Sequence, residues 1–220
     1  MTAEIANAMV FGEAERQSIE QIQSFVDYSH HSWSVDELET VRSAIRAHYR
    51  NEQRGLCAYC RNPVSLQSPQ NCHVEHIAPK SKYLGFMFEP KNLCVVCADC
   101  NTIKRDQEVH NDEPDTVQNG SRRRQYPRSS AAFRIVHPHF DRWDDHIERF
   151  GKYYCDKSAK GHFTIGACIL NRQLRQFGWE PAIIDDAAIR ELMNEYLNLA
   201  DPAVQTSVLN RLMRLMIQLQ

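Results

Sequence analysis

Two Cys-x-x-Cys pairs, Cys57-Ala-Tyr-Cys60 and Cys97-Ala-Asp-Cys100, constrain this chain more than any other feature in it. Two such pairs supply four thiolates, the number that closes a tetrahedral zinc site, and a site of that kind pins two loops together where apolar burial is scarce. Eight cysteines in 220 residues would also suit a disulfide scaffold. The opening stretch MTAEIANAMVFGEAER, however, has no basic region ahead of an apolar run, so reduced, metal-holding thiols are the expectation. CVVCADC offers two overlapping pairs, but Cys94 lies in an apolar run that suits core packing. Cys72 and Cys94 are the alternatives should one of the four ligands be replaced. Cys155 and Cys168 have no spaced partner and read as small apolar residues.

A chain of this length supports one sizeable core, or a small site-bearing module within helical flanks. No apolar run is long enough to span a bilayer, and the expectation is a soluble, cytoplasmic protein. The formal charge of −2 argues against a generally basic nucleic-acid coat. Charge is uneven, though: residues 51–160 hold 17 Lys/Arg against 14 Asp/Glu, and residues 1–50 hold 4 against 8. Only the middle of the chain permits a phosphate-binding face.

Residues 34–52 open with Ser34 and Glu37 at capping-box spacing and continue with Val35, Leu38, Val41, Ile45 and His48 or Tyr49 at helical spacing, which predicts a helix ending before Gly55. HVEHIAP and KNLCVVC read as two strands, and CNTIKRDQE as a helix after them. Residues 107–130 are polar, contain two prolines and lack apolar periodicity, as a long loop or mobile segment does. FRIVHPHF predicts a strand entering a turn, and GHFTIGACILNRQL a strand running into a helix. The end, from about 185 to 219, predicts two amphipathic helices broken near Ala200-Asp201-Pro202, with Leu209, Leu212, Met213, Met216 and Leu219 on one stripe.

Taken together, CAYC, VEHIAPKS and KNLCVVCADCNTIK resemble the HNH endonuclease module, in the right order and over about a quarter of the chain. The resemblance implies an α+β chain: a small ββα-metal module with a structural four-cysteine zinc site, embedded in mostly helical extensions. The implied divisions are a helical extension at 1–53, the nuclease module at 54–106, a polar loop at 107–132 and a strand and helical region at 133–220. Carried over position by position, it implies that Glu75 and Asn101 hold a catalytic Mg²⁺ or Mn²⁺, that His76 is the general base, and that Asn92 holds the catalytic loop in shape. Glu75 stands where many such modules have Asp, one methylene shorter. The chemistry is sensible in its own right, since hard divalent ions prefer oxygen ligands and a neutral imidazole can take a proton from water. His73 shares a strand face with Glu75, and either touches the metal or scissile phosphate in a catalytic role or caps the site.

The HxEH form, the helix leading into GLCAYC, and the later HPHFDRWDDHIERF and TIGACILNRQL blocks resemble a narrower branch, the HNH nucleases of Septu and related retron anti-phage systems. That branch implies DNA cleavage together with a separately encoded ATPase. The chain has no GxxxxGK[ST] loop of its own. Rival readings are a stand-alone restriction or mobile-element nuclease, and a zinc-stabilised nucleic-acid-binding module that does not cut. Lys80, Lys82, Lys104 and Arg105 flank the site and either contact DNA phosphates or form solvated surface. SRRRQYPR is a phosphate-contact or partner-docking loop, or a solvated charge run. His137, His139, Asp141 and His146 read as packing, capping or loop groups, with approach to the site as the alternative.

Overall fold

The computed structural model describes residues 4–110, 115–120, 123–178 and 187–218. They form two compact units, 1–143 and 144–220, and the chain is a mixture of helices and small two-stranded sheets.

In the first unit, α1 (Glu13–Gln23) buries Ile19 and Ile22, and α2 (Glu39–Glu52) buries Val41, Ile45 and Tyr49, the i, i+4, i+8 stripe read from the sequence. The helix begins later than predicted. Residues 30–34 and 36–38 are separate 3₁₀ turns, because the capping serine is Ser29, paired with Ser32, and Val35 between the turns is extended. Arg42 then gathers the break, its Nη1 donating to Trp33 O at 2.6 Å and Val35 O at 2.8 Å. The helix ends as expected before Gly55, where Arg54 and Gly55 both take positive φ.

The predicted strand pair is present: β1 (His73–His76) lies antiparallel to β2 (Leu93–Val96), with Glu75 opposite Cys94. Helix α3 (Ala98–His110) follows at once. β2 is buried on both faces, which is why LCVV is continuously apolar. Its free edge is closed by a side chain. Gln53, itself buried, accepts from Val95 N at 2.7 Å and donates to Val95 O at 2.8 Å.

FRIVHPHF is not a strand. Phe133 makes a lone bridge to Val117, and Ile135, Val136, His137 and His139 are all buried, so apolar residues enter the core from several directions rather than alternating. The polar segment before it is also less loop-like than its composition suggests. Residues 107–110 continue α3, while Thr116, Val117 and Tyr126 are buried; residues 111–114 and 121–122 lie outside the described set.

The second unit pairs β3 (Ile147–Phe150) with β4 (Tyr153–Asp156) in a hairpin that turns at Gly151, φ 53°. Helix α4 (Ala159–Ala167) and the short α5 (Arg172–Phe177) follow, so the predicted strand at GHFTIG is helical. The β-branched Thr164 and Ile165 suggested a strand, but Ser158 caps the segment by accepting from Gly161 N at 3.1 Å. A Cβ on Gly161 would lie 1.9 Å from His146 O, so only glycine permits this close approach. Finally α6 (Ala187–Asn198) and α7 (Pro202–Gln218) form the predicted helix pair, burying Ile189, Leu192 and Met193 against Val208 and Leu212. Leu209 and Met213 are half-buried; the side chain of Met216 and all of Leu219 lie outside the described set. Among the described residues no helix is long and apolar enough to cross a membrane.

Candidate metal and nuclease site

The four predicted thiols come together. Cys57 and Cys60 sit on a turn closed by Cys57 N to Asn62 O at 2.9 Å and Arg61 N to Cys57 O at 3.1 Å, with Arg61 at φ 58°. Cys97 and Cys100 lie where β2 passes into α3, and Asn71 Oδ1 accepts from Ala98 N at the helix start. All four are buried, with their sulfurs within 4.8 Å of one another and Cys60 3.7 Å from Cys97. A tetrahedron of sulfurs about 2.3 Å from a zinc ion has edges of roughly 3.8 Å, so the cluster fits that ion. Hydrogen bonds from Cys100 and then Cys57 hold the Cys97 and Cys60 thiols below their ordinary range, while burial raises Cys57. Cys72 and Cys94 are buried outside the cluster. Trp143 supports the turn by donating from Nε1 to Tyr59 O at 2.8 Å.

The HVEH strand runs along the other side of β2's ladder. His76 is 5 % exposed. Burial first, then the positive charges of Lys80 and Lys104, push its pKa down to about 3, so the ring is neutral throughout the physiological range. Its Nε2 lies 3.1 Å from Met87 O. A neutral imidazole facing a carbonyl must carry its proton there, which leaves Nδ1 as the acceptor. Trp33 meets the ring edge-on with centroids 4.5 Å apart, held in place by the Arg42 bonds to its turn. Nothing in the local sequence around Trp33 announces this contact, since it depends on how the 3₁₀ turn packs.

Asn92 is fully buried. Its Oδ1 accepts from Ala78 N at 2.7 Å, and its Nδ2 donates to Ala78 O at 3.1 Å and Phe86 O at 2.9 Å. Thr116 adds a bond to Ile77 O at 3.0 Å, so the segment leaving β1 is tied at three consecutive residues once Lys104, bonded to His76 O at 3.3 Å, is included. Thr116 escaped sequence reasoning because it lies in the stretch read as loop.

Glu75 is 7 % exposed and its Oε1 lies 2.6 Å from the Nζ of Lys104, which is only 2 % exposed. Lys104 was expected among the phosphate-contact residues, but its side chain turns inward to this carboxylate. Lys80 is half-buried, and Lys82 and Arg105 are exposed. Asn101 is half-buried on the first turn of α3, and its backbone N donates to Cys97 O. His73 is half-buried with Nε2 2.9 Å from Gln70 O. A carboxylate supplies the donor chemistry a hard divalent ion needs, and in this structure Lys104 shares the Glu75 carboxylate.

The later histidine block serves packing. His137 Nε2 meets Tyr126 Oη at 2.8 Å, His137 N donates to Asp141 Oδ2 at 2.7 Å, and His139 Nε2 meets Leu93 O at 2.8 Å, anchoring the start of β2. His146, in the second unit, bonds Ser158 Oγ at 2.7 Å. In the SRRRQYPR stretch, Arg123, Arg124 and Arg128 are exposed, and Arg128 lies 3.6 Å from Glu89.

A strand pair leads into a helix, four cysteines cluster at that junction, and the first strand carries a buried histidine next in sequence to a buried carboxylate. The family model described as HNH endonuclease matches residues 57–107. That segment, under a quarter of the chain, is thus similar to an HNH nuclease domain, a kind of domain for which DNA is the implied substrate. No curated protein matches the chain.

Proposed function

We propose that this protein is a divalent-metal-dependent endonuclease that hydrolyses DNA phosphodiester bonds with His76 as general base. The observation that carries the reading is the state of His76: buried, neutral, with Nε2–H committed to Met87 O and Nδ1 left to accept a proton. A pure binding module has no need of such a group next in sequence to a buried carboxylate, which weighs against the non-cutting alternative.

Glu75 and Asn101 are the residues that would hold Mg²⁺ or Mn²⁺. Bound there, the ion supplies charge neutralisation at the scissile phosphate and the leaving 3′-oxygen. His76 Nδ1 takes the proton of the attacking water, and the Met87 carbonyl fixes the ring's tautomer and angle. Asn92 keeps residues 77–86 from drifting away from the base. Lys80, Lys82 and Arg105 are the candidate backbone contacts for DNA. Incubating purified protein with plasmid DNA and Mg²⁺ tests the reading: the wild type nicks or linearises the plasmid and His76→Ala does not. Equal cutting by both, or none by the wild type under any divalent ion, would sink it.

Within that reading, the resemblance to Septu-type and retron-associated nucleases supports an effector in anti-phage defence, acting in the cytoplasm with a separately encoded ATPase. A stand-alone restriction or mobile-element nuclease would use the same site. Co-purification with the product of the neighbouring gene separates them. The apolar face of α7 that meets α6 is already occupied, so residues 1–50 and the exposed arginines of 123–128 are the surfaces to vary first.

A further inference from the structure

Lys104 is one turn beyond Asn101 on α3, and it brings a positive charge to the carboxylate that a divalent ion would use. Its Nζ lies 2.6 Å from Glu75 Oε1 and donates to His76 O at 3.3 Å. Both side chains of the ion pair are nearly fully buried. A buried carboxylate without a counter-charge is strongly unfavourable, whereas a paired one is tolerated. We propose that Lys104 is a positioning residue that competes with the divalent cation for Glu75, neutralising the carboxylate while the site is empty and setting the metal concentration at which it loads. This rests on the assignment of Glu75 as a metal ligand above.

Two features of the chain favour competition over a permanent structural pair. Lysine presents a compact ammonium on a flexible four-carbon stem, so the charge can withdraw by rotamer change without moving α3. Glutamate has one more rotatable bond than aspartate, so the Glu75 carboxylate can turn from the ammonium toward a neighbouring ligand position. Because Lys104 also grips the carbonyl of His76, withdrawal of the ammonium releases a tether on the residue that carries the base. Metal loading and the setting of the base are thereby linked through one side chain.

The test uses full-length, zinc-loaded protein in buffer free of chelators, with Mn²⁺ as the probe. Binding is followed by calorimetry and stability by thermal melting, neither of which needs DNA or turnover. Lys104→Met should melt lower than wild type without Mn²⁺, bind Mn²⁺ at least tenfold more tightly, and gain a larger rise in Tm from it. Lys104→Arg, which keeps the charge, should stay within about threefold of the wild-type midpoint. In Glu75→Gln/Lys104→Met, with both charges removed, melting should recover and the Mn²⁺ response disappear. If Lys104→Met does not fold, Lys104→Gln carries the same expectation. Unchanged or weaker Mn²⁺ binding by the uncharged variants overturns the proposal, as does the absence of any Mn²⁺ binding at Glu75. A wild type that cuts DNA while Lys104→Met binds Mn²⁺ no more tightly leaves the nuclease reading standing without this one. A wild type that binds Mn²⁺ through Glu75 and cuts nothing does the reverse.

Discussion

Asn92 and Ala78 exchange two hydrogen bonds: the side-chain Oδ1 accepts from Ala78 N at 2.7 Å and Nδ2 donates to Ala78 O at 3.1 Å. One buried amide thereby substitutes for a missing strand partner where β1 has ended, and a third bond to Phe86 O closes the loop. Asn92→Ala would strand a buried N–H and leave two carbonyls short of a donor, at about 1–3 kcal/mol for an unsatisfied group. Denaturant melts should show a loss of about 3 kcal/mol, and any surviving protein should cut poorly because the segment after His76 is no longer held. A variant as stable and active as wild type would mean that the loop is fixed by its other contacts.

The four-cysteine cluster makes a separate prediction about metal content. Purified protein should contain about one zinc per chain, and Cys57→Ser or Cys100→Ser should lose it together with cooperative unfolding of the module, since the ligand cage is much of what joins the 57–62 turn to α3. Cys72→Ser and Cys94→Ser should keep the zinc. Full zinc in Cys100→Ser, or its loss in Cys94→Ser, would reassign the ligands.

How much of this was legible beforehand follows from which interactions are local. The four-cysteine cluster and the β1–β2–α3 order were written in short spacings, Cys57 with Cys60 and Cys97 with Cys100. What sequence reasoning missed depends on distant partners. Lys104 reads as a surface base until Glu75 is found beside it. Gln53 lies just past the residues read as helix, yet its side chain bonds both Val95 N and Val95 O as well as Leu56 O. FRIVHPHF has the composition of a strand, but among the described residues it makes only the lone Phe133–Val117 bridge, and its histidines bond backbone and Tyr126 instead. Thr164 and Ile165 carry β propensity that a capping serine and a close-packed glycine overrule.

The two histidines of HVEH should separate sharply in kinetics. His76→Ala removes the proton acceptor and should lower the single-turnover cleavage rate by about 10²–10⁴-fold, with DNA affinity little changed. His73 is half-buried and tied to Gln70 O, so His73→Ala should cost less than about tenfold. Near-normal rates in His76→Ala with a collapse in His73→Ala would move the base three residues upstream.

Acid sensitivity supplies the last prediction, because two buried histidines are held neutral. Burial, with smaller effects from nearby lysines, pushes the pKa of His76 to about 3; burial also lowers His139 to about 4, where it is bonded to Leu93 O. An unfolded histidine titrates near 6.5. Between that value and the folded pKa the unfolded chain binds a proton that the folded one refuses, so stability falls as pH drops through this window and is unaffected by these groups above it. Each histidine should contribute about 1.4 kcal/mol of lost stability per pH unit below 6.5, down to its folded pKa. His139→Gln keeps a donor for Leu93 O and removes one of the two titrations. Urea unfolding at pH 7.5, 5.5 and 4.5 should therefore give a shallower decline for His139→Gln than for wild type, while protonation of the four-cysteine thiolates acts on both alike. Parallel curves would mean that His139 accepts its proton in the folded protein, and that its ring is not held neutral against the β2 carbonyl.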